Sequence, residues 1–511
     1  MGSVWAKEAE KKPLDLTVID DPQDKNFGNY DLPFENLVIE GGGARGFAYI
    51  GALRVLESAG ILKNIKRIGG VSAGSMIATY VALGLGPAEV AEVTNTDMSK
   101  VVAEGGYLKA LMKPFNLYWR YGWETGNSFS IWFGDIVERF TRKGDQPGNP
   151  DITFKQLYEM TGKELCVVVS NLSDMTEEYC HVKTTPNLPI RKAVRMSMSI
   201  PGLFQPEQSD HFGDNKDFYV DGAVVCNYPL HCFDGWWLSM DEENSFFNRM
   251  DDLLNLSDTM HRSNRFEPAN PKTVGLMLYY DGEPFQKTFL EWLTKEEREY
   301  TMNRPNTALA RAYKDKVKLE TVEAMEHRKK MHSLIAKFLQ TLKKNQIDDL
   351  TTISREELYQ VFEELKDDFM SLTEEERKAL IGEAETPDQL FDEIDVDSDG
   401  LLTYDEVHQF FTNRGLGWLT GHKKAHITSL TGYAMKYQEL LVLLGKRVYR
   451  KAGDVYRSIG VNGDYVNVTD FQLEEADRLY LFKQGAAGVR AFLRTYIANN
   501  KLSAVSAGDQ L

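Results

Sequence analysis

Cysteine is scarce in this chain: four in 511 residues, Cys166, Cys180, Cys226 and Cys232. None of them has the paired spacing of a metal knuckle, and Cys166 and Cys226 stand among apolar neighbours, as buried thiols do. A disulfide scaffold and a zinc module are therefore not expected, and a reducing cytosol is the simple setting. Long apolar runs are also missing. No stretch of about 18 apolar residues is present, so no membrane-spanning helix is expected. The N-terminus lacks an apolar core of the secretory type. Its opening, Met1-Gly2-Ser3-Val4-Trp5-Ala6, has Ala6 where a myristoylation signal wants Ser or Thr, so lipidation is not expected either.

The composition is otherwise that of a globular protein, 42% hydrophobic and 26% charged. A chain of this length suits two or three units rather than one core. The net charge of −17 is unevenly spread. Residues 341–410 hold 21 acids against 6 bases, whereas residues 411–457 hold nine bases against two acids. An acidic module thus precedes a basic segment, and nucleic acid is not an expected partner.

The most informative residues lie in 37–74. Leu37-Val38-Ile39 is a short apolar strand, followed by Gly41-Gly42-Gly43-Ala44-Arg45-Gly46. Phe47, Ile50, Leu53 and Leu56 then recur at helical spacing up to Ser58. Ile65–Val71 is a second strand, and it runs into Gly70-Val71-Ser72-Ala73-Gly74 and a helix over 73–83. Strand, loop and helix, repeated, predict a parallel sheet with crossover helices. Further strands are expected at 165–169, 218–220 and 274–279.

Gly-x-Ser-x-Gly between a strand and a helix has the form of a nucleophile elbow, which presents one serine on a tight turn. The glycine run supplies bare backbone N–H groups suited to a developing oxyanion. Its spacing, Gly41-x-Gly43-x-x-Gly46, also fits a dinucleotide loop. Glu57 could serve as the acid of such a fold, but the second strand ends in the serine turn rather than in an acid, which ranks a hydrolase first. A serine hydroxyl needs a base. No histidine among the nine lies in a strand-end motif. Asp221, after the strand Phe218-Tyr219-Val220 and before Gly222, is the better candidate, although Asp-Gly is also an ordinary turn signal.

Gly41–Gly46, Gly70–Gly74 and Asp221-Gly222-Ala223, in this order, resemble the three blocks of patatin-like phospholipases. Met196–Phe204 resembles the block before the family's aspartate, and Asn227-Tyr228-Pro229 the one after it. The likeness covers about residues 35–235, with a weaker echo over 470–492. It implies a three-layer α/β/α sandwich with a mainly parallel central sheet. It also implies a dyad in which Ser72 attacks an ester carbonyl and Asp221 takes its proton directly. Gly41, Gly42, Gly43 and Arg45 would form the oxyanion hole, with Arg45 adding charge or binding lipid phosphate, and Gly46, Gly70, Gly74 and Gly222 would be the motif glycines. The expected activity is phospholipase A-type acyl hydrolysis by a cytoplasmic protein peripheral to membranes. The alternatives are a calcium-responsive lipid-binding adaptor, a transacylase or a soluble-ester hydrolase. A protein activator is not readable from the sequence.

Residues 395–406, Asp-Val-Asp-Ser-Asp-Gly-Leu-Leu-Thr-Tyr-Asp-Glu, have the spacing of an EF-hand loop. Asp395, Asp397 and Asp399 would supply carboxylates, Leu401 its carbonyl, Thr403 a direct or water-mediated ligand, and Glu406 the bidentate closure. Ca2+ is the expected ion, regulatory or structural. Residues 346–357 form a degenerate partner that would pack without binding. The domain plan is a polar tail over 1–33, a catalytic core over 34–285, a helical connection over 286–345 and an all-α EF-hand module over 346–413. Helices over 414–500 would return to the core, and 501–511 would be a frayed end. Two stretches are candidates for lipid contact. The aromatics between 115 and 133 are read as core in preference to interface. The basic segment 423–451, which includes Lys446, reads equally as a lipid face or an ordinary solvated helix.

Overall fold

The computed structural model describes residues 14–102, 116–209, 216–249, 253–279, 285–319, 337, 338, 340, 341, 344, 352–382, 384, 386–413 and 430–504. The chain divides into two units. One comprises residues 1–281, 285–310 and 429–511; the other comprises 282–284 and 311–428.

The first unit is built on an eight-stranded sheet. Its strands are β1 (Asn36–Ile39), β2 (Arg67–Gly70), β3 (Glu164–Asn171), β4 (Thr176–His181), β5 (Glu207–Ser209), β6 (Asp217–Asp221), β7 (Thr273–Tyr279) and β8 (Ser458–Asn462). The order is β8-β7-β1-β2-β3-β6-β5, with β4 also on β3. The first five of these run parallel. β4 and β6 pair antiparallel with β3, and β5 antiparallel with β6, so the sheet is mixed. The parallel strands are buried apolar runs such as Thr273–Tyr279, as strands covered on both faces must be.

Helix α1 (Ala48–Ser58) follows the glycine loop, and α2 (Ala73–Ala82) follows Ser72. Two late helices, α3 (Leu430–Tyr449) and α4 (Glu475–Asn499), complete this unit. α4 packs along α1 and β8. Crossings are close where glycine allows it: a Cβ on Gly51 would lie 1.9 Å from the Phe482 carbonyl oxygen.

The expected tail over 1–33 is corrected for its described part. Leu14, Leu16 and Ile19 are buried, and Arg490 of α4 forms a bidentate pair with Asp24 at 2.7 Å. A segment that looked polar is thus tied down by one buried charge pair and three aliphatic side chains. Residues 1–13, including the N-terminal motif, lie outside the described residues.

The second unit has its own core, formed by Leu358, Val361, Phe369, Leu390, Phe391, Ile394, Leu402, Val407 and Phe410 among others. Its helices include Arg355–Glu364, Pro387–Ile394 and Tyr404–Asn413. Two short strands pair antiparallel, Thr352 with Thr403 and Ile353 with Leu402. Phe338, within the expected helical connection, is buried in this core.

Candidate active site

The serine turn is strained in the way its role would require. Ser72 has φ 51° and ψ −130°, a region that residues with a Cβ rarely enter. Its N–H donates to Ser197 Oγ at 2.9 Å, and Ser197 Oγ–H in turn donates to the Val168 carbonyl at 2.7 Å. The turn is therefore held from β3 through a relay serine. Ser72 sits immediately before α2, so the helix N-terminus favours negative charge developing there.

Asp221 ends β6, and its carboxylate meets Ser72. Ser72 Oγ–H donates to Asp221 Oδ2 at 2.7 Å, while Asp221 Oδ1 accepts the Ala223 N–H at 2.9 Å. The Asp221 N–H donates to the Ser199 carbonyl, and its own carbonyl accepts from Ser170 Oγ. The aspartate is fixed on both sides. Serine and aspartate are 4% and 2% exposed, so their hydrogen bond is shielded from water. Burial pushes the Asp221 carboxyl up to about 7, against the opposing effects of the Ala223 N–H and the Ser72 hydroxyl. A carboxylate poised near neutrality can take and return a proton at physiological pH. Among the described residues both buried histidines are engaged elsewhere, His231 with Tyr179 and His181 with Glu164.

The glycine loop lies against this pair. A Cβ on Gly41 would stand 3.1 Å from Ser72 Cβ and 2.3 Å from Asn227 Oδ1. Gly41 is a correction to the expected oxyanion donors, because its N–H already donates to the Asn227 carbonyl at 3.1 Å. Among the described residues, the N–H groups of Gly42 and Gly43 meet no such acceptor. Gly43 has φ 51° and abuts the Val468 carbonyl, which also takes the Ala44 N–H. Arg45 Nε donates to the Val466 carbonyl at 2.7 Å, so its guanidinium is tied to the loop after β8. The remaining motif glycines mark close crossings: Gly46 faces Ala73, Gly70 faces Gly74, Gly74 faces Glu40, and Gly222 faces Val168.

Sequence reasoning assigned no role to Ser197, Ser199 or Asn227, which hold the site in place. Their signal was the block Met196–Phe204 and Asn227-Tyr228-Pro229. Glu40 carried no signal. Lys446 is a second correction: it is buried rather than on a basic surface, and its Nζ lies 2.6 Å from Glu40 Oε1. Lys423 and Lys424 lie outside the described residues. The aromatic stretch divides. Phe129, Trp132 and Phe133 are core, whereas Tyr118 and Trp119 are 74% and 72% exposed. Phe115 lies outside the described residues.

In the second unit, carboxylate oxygens of Asp395, Asp397 and Asp399 come within 4.8 Å of one another. Asp395 Oδ1 is buried with no hydrogen-bond partner, while Oδ2 accepts the Gly400 N–H. Asp399 Oδ1 accepts from Leu401 N–H, and Gly400 takes φ 84° at the turn. Glu406 reaches back to the N–H groups of Val396 and Thr403. The 352–357 segment repeats this last feature, with Glu357 on Ser354, although Gln346, Asp348 and Thr351 lie outside the described residues. An orphaned buried carboxylate oxygen among three acids is a donor set suited to a hard divalent cation.

The mixed sheet thus carries a buried serine–aspartate hydrogen bond beside a glycine loop. Residues 37–234 match the family described as Patatin-like phospholipase. It is 31% identical over 202 residues to an uncharacterized protein of Acanthamoeba polyphaga mimivirus, covering 39% of this chain and 61% of that one. It is 28% identical over 199 residues to a probable lipid hydrolase of Invertebrate iridescent virus 6, covering 39% and 62%. The chain thus spans less than two thirds of the length of these relatives. The crystal structure of VipD from Legionella pneumophila aligns with 91% of this chain and 68% of its own, at 15% identity and a TM-score of 0.39. No described helix is long and apolar enough to cross a membrane.

Proposed function

We propose that this protein hydrolyses ester-linked acyl chains of membrane phospholipids, with Ser72 as nucleophile and Asp221 as its base. The observation that carries the reading is the buried 2.7 Å hydrogen bond between Ser72 Oγ and Asp221 Oδ2. Ser72 attacks the ester carbonyl as its proton passes to Asp221. The Gly42 and Gly43 N–H groups receive the oxyanion, and Asp221 returns the proton to the leaving alcohol. Water then repeats the sequence on the acyl-serine, with Asp221 again as base. Loss of one oxyanion donor would cost about 3 kcal/mol of transition-state stabilisation. The likeness to a protein described as a probable lipid hydrolase supports the substrate class.

The 395–406 loop would hold Ca2+ through Asp395, Asp397, Asp399, Leu401, Thr403 and Glu406. Bound there, the ion would neutralise the loop carboxylates and fix the two flanking helices. Exposed Tyr118, Trp119, Tyr121 and Trp123 would meet the lipid surface. Aromatic rings with a polar edge suit a headgroup boundary. These four lead into and lie on the short strand Gly122–Glu124, which pairs with Gly202–Phe204, close in sequence to the Ser199 carbonyl that holds Asp221.

The test is fatty acid release from mixed phospholipid vesicles, with calcium and with chelator, for the intact protein and for Ser72→Ala. Release that disappears in the variant is expected. Equal release from both proteins would overturn the assignment of Ser72. Vesicle binding by both proteins with release by neither would favour the adaptor reading. Acyl transfer to added lysolipid in place of release would favour the transacylase.

A further inference from the structure

Lys446 occupies the interior of the first unit, where a lysine needs an acid. Its Nζ lies 2.6 Å from Glu40 Oε1 and donates to the Leu278 carbonyl at 3.2 Å. Glu40 Oε1 also accepts Asn227 Nδ2 at 2.9 Å, and Oε2 accepts the Leu278 N–H at 2.7 Å. The Glu40 backbone is held as well: its N–H donates to Leu276, and its carbonyl accepts from Tyr49 Oη at 2.6 Å. Glu40 is the residue at which β1 becomes the glycine loop. Its position sets where the Gly42 and Gly43 N–H groups point.

The same helix touches the other half of the pair. At Gly445 a Cβ would lie 2.5 Å from the Val225 carbonyl oxygen, so α3 packs directly on the short helix Ala223–Cys226 that follows Asp221. Adjacent residues of α3 therefore reach both walls of the site. One is an ion pair to the oxyanion loop, the other a backbone-close contact beside the aspartate.

We infer that α3 is a clamp on the active site, and that Lys446 is a positioning residue that aligns the oxyanion-loop N–H groups through Glu40. The inference rests on the proposed acyl-transfer role of that loop. A buried ion pair is weak evidence for net stability, since desolvation offsets much of its attraction. Its value here is geometric: it fixes a glycine-rich segment that has few side chains of its own to hold it. Lys446 touches no reacting atom, so its effect belongs on the turnover number rather than on substrate binding.

The experiment compares Lys446→Met, Lys446→Arg and Gly445→Ala with the unaltered full-length protein on a soluble p-nitrophenyl ester, well below each variant's melting temperature. For Lys446→Met, kcat is expected to fall at least tenfold with KM within about twofold, and Lys446→Arg is expected to recover most of it. Gly445→Ala keeps the ion pair but pushes α3 off Val225, and it is expected to lower kcat in the same way if Lys446→Met does not fold. Hydrogen exchange supplies a readout that needs no activity. Peptides covering 37–47 should exchange at least tenfold faster in Lys446→Met, while those covering 164–171 stay unchanged. Unchanged exchange in 37–47 would overturn the clamp even if the protein proved inactive on every ester. So would an unchanged kcat with weakened vesicle binding, which would return Lys446 to a lipid-facing role. Faster exchange in 37–47 without Ser72-dependent turnover in the unaltered protein would instead sink the catalytic reading and leave the clamp standing.

Discussion

At the scale of single residues, Asp221 carries the clearest consequences. Burial raises its carboxyl to about 7 from an ordinary 3.8. Only the ionised form accepts the serine proton, so kcat/KM on a soluble ester is expected to rise with pH, with an inflection near 7. Below that, it should fall tenfold per pH unit. A flat profile between pH 5 and 9 would exclude Asp221 as the base. The same burial works against stability. The folded state holds the proton more tightly than the unfolded chain, so stability is highest below the unfolded value of 3.8 and is lost as pH rises through the folded value. Above pH 7 the cost is on the order of 4 kcal/mol, because each pH unit between the unfolded and folded values is worth about 1.4 kcal/mol. Asp221→Asn is therefore expected to abolish turnover, by a factor of roughly 10³, and to raise the melting temperature at pH 8 but not at pH 4. A variant less stable than the parent at pH 8 would contradict the buried-carboxylate account.

At the scale of elements, what was legible followed local pattern. β1, β3 and β7 contain apolar runs, β2 leads into the serine turn, and the loops after β1 and β2 are marked by glycine; their places in the chain could be read directly. β4 is Thr-Glu-Glu-Tyr-Cys-His, half-buried over its first three residues, and β5 is Glu-Gln-Ser; neither has an apolar run to announce it. β8 joins β7 only after the chain has passed through the second unit, a pairing that no local window contains. The ion pair between Lys446 and Glu40 was hidden for the same reason, and a lysine in a basic stretch looks solvated until its helix is placed. The aromatic stretch divides in a way that composition cannot announce, because composition does not say which rings find partners. Phe129 and Phe133 stack on each other, whereas Tyr118 and Trp119 contact one another and solvent. Trp119→Ala, combined with Tyr118→Ala, is expected to weaken vesicle binding about tenfold, near 1.4 kcal/mol, while leaving soluble-ester turnover unaffected. Sedimentation with vesicles measures the first and a p-nitrophenyl ester the second. Unchanged binding would remove this segment from the lipid face.

At the scale of the whole molecule, the two units have separate cores, and the second carries a strongly acidic stretch. The acids of residues 341–410 outnumber the bases by 15, and this stretch lies within the second unit. Crowded carboxylates repel one another, most strongly at low salt. A cation bound at 395–406 would relieve that repulsion and stabilise only the unit that holds it. Calorimetry of the full chain is therefore expected to show two transitions, of which calcium raises one. At free calcium about 1,000 times the dissociation constant the gain is about 4 kcal/mol. Glu406→Gln removes the closing carboxylate and is expected to weaken calcium binding at least tenfold. It should also abolish the calcium-dependent rise without moving the other transition. The transition that ignores calcium would be the one destabilised by Asp24→Ala, because Asp24 ties the N-terminal segment to α4 in the first unit. If calcium raised both transitions together, the units would be coupled in folding. A route from the acidic loop to the serine site would then have to be sought in that coupling rather than in the loop alone.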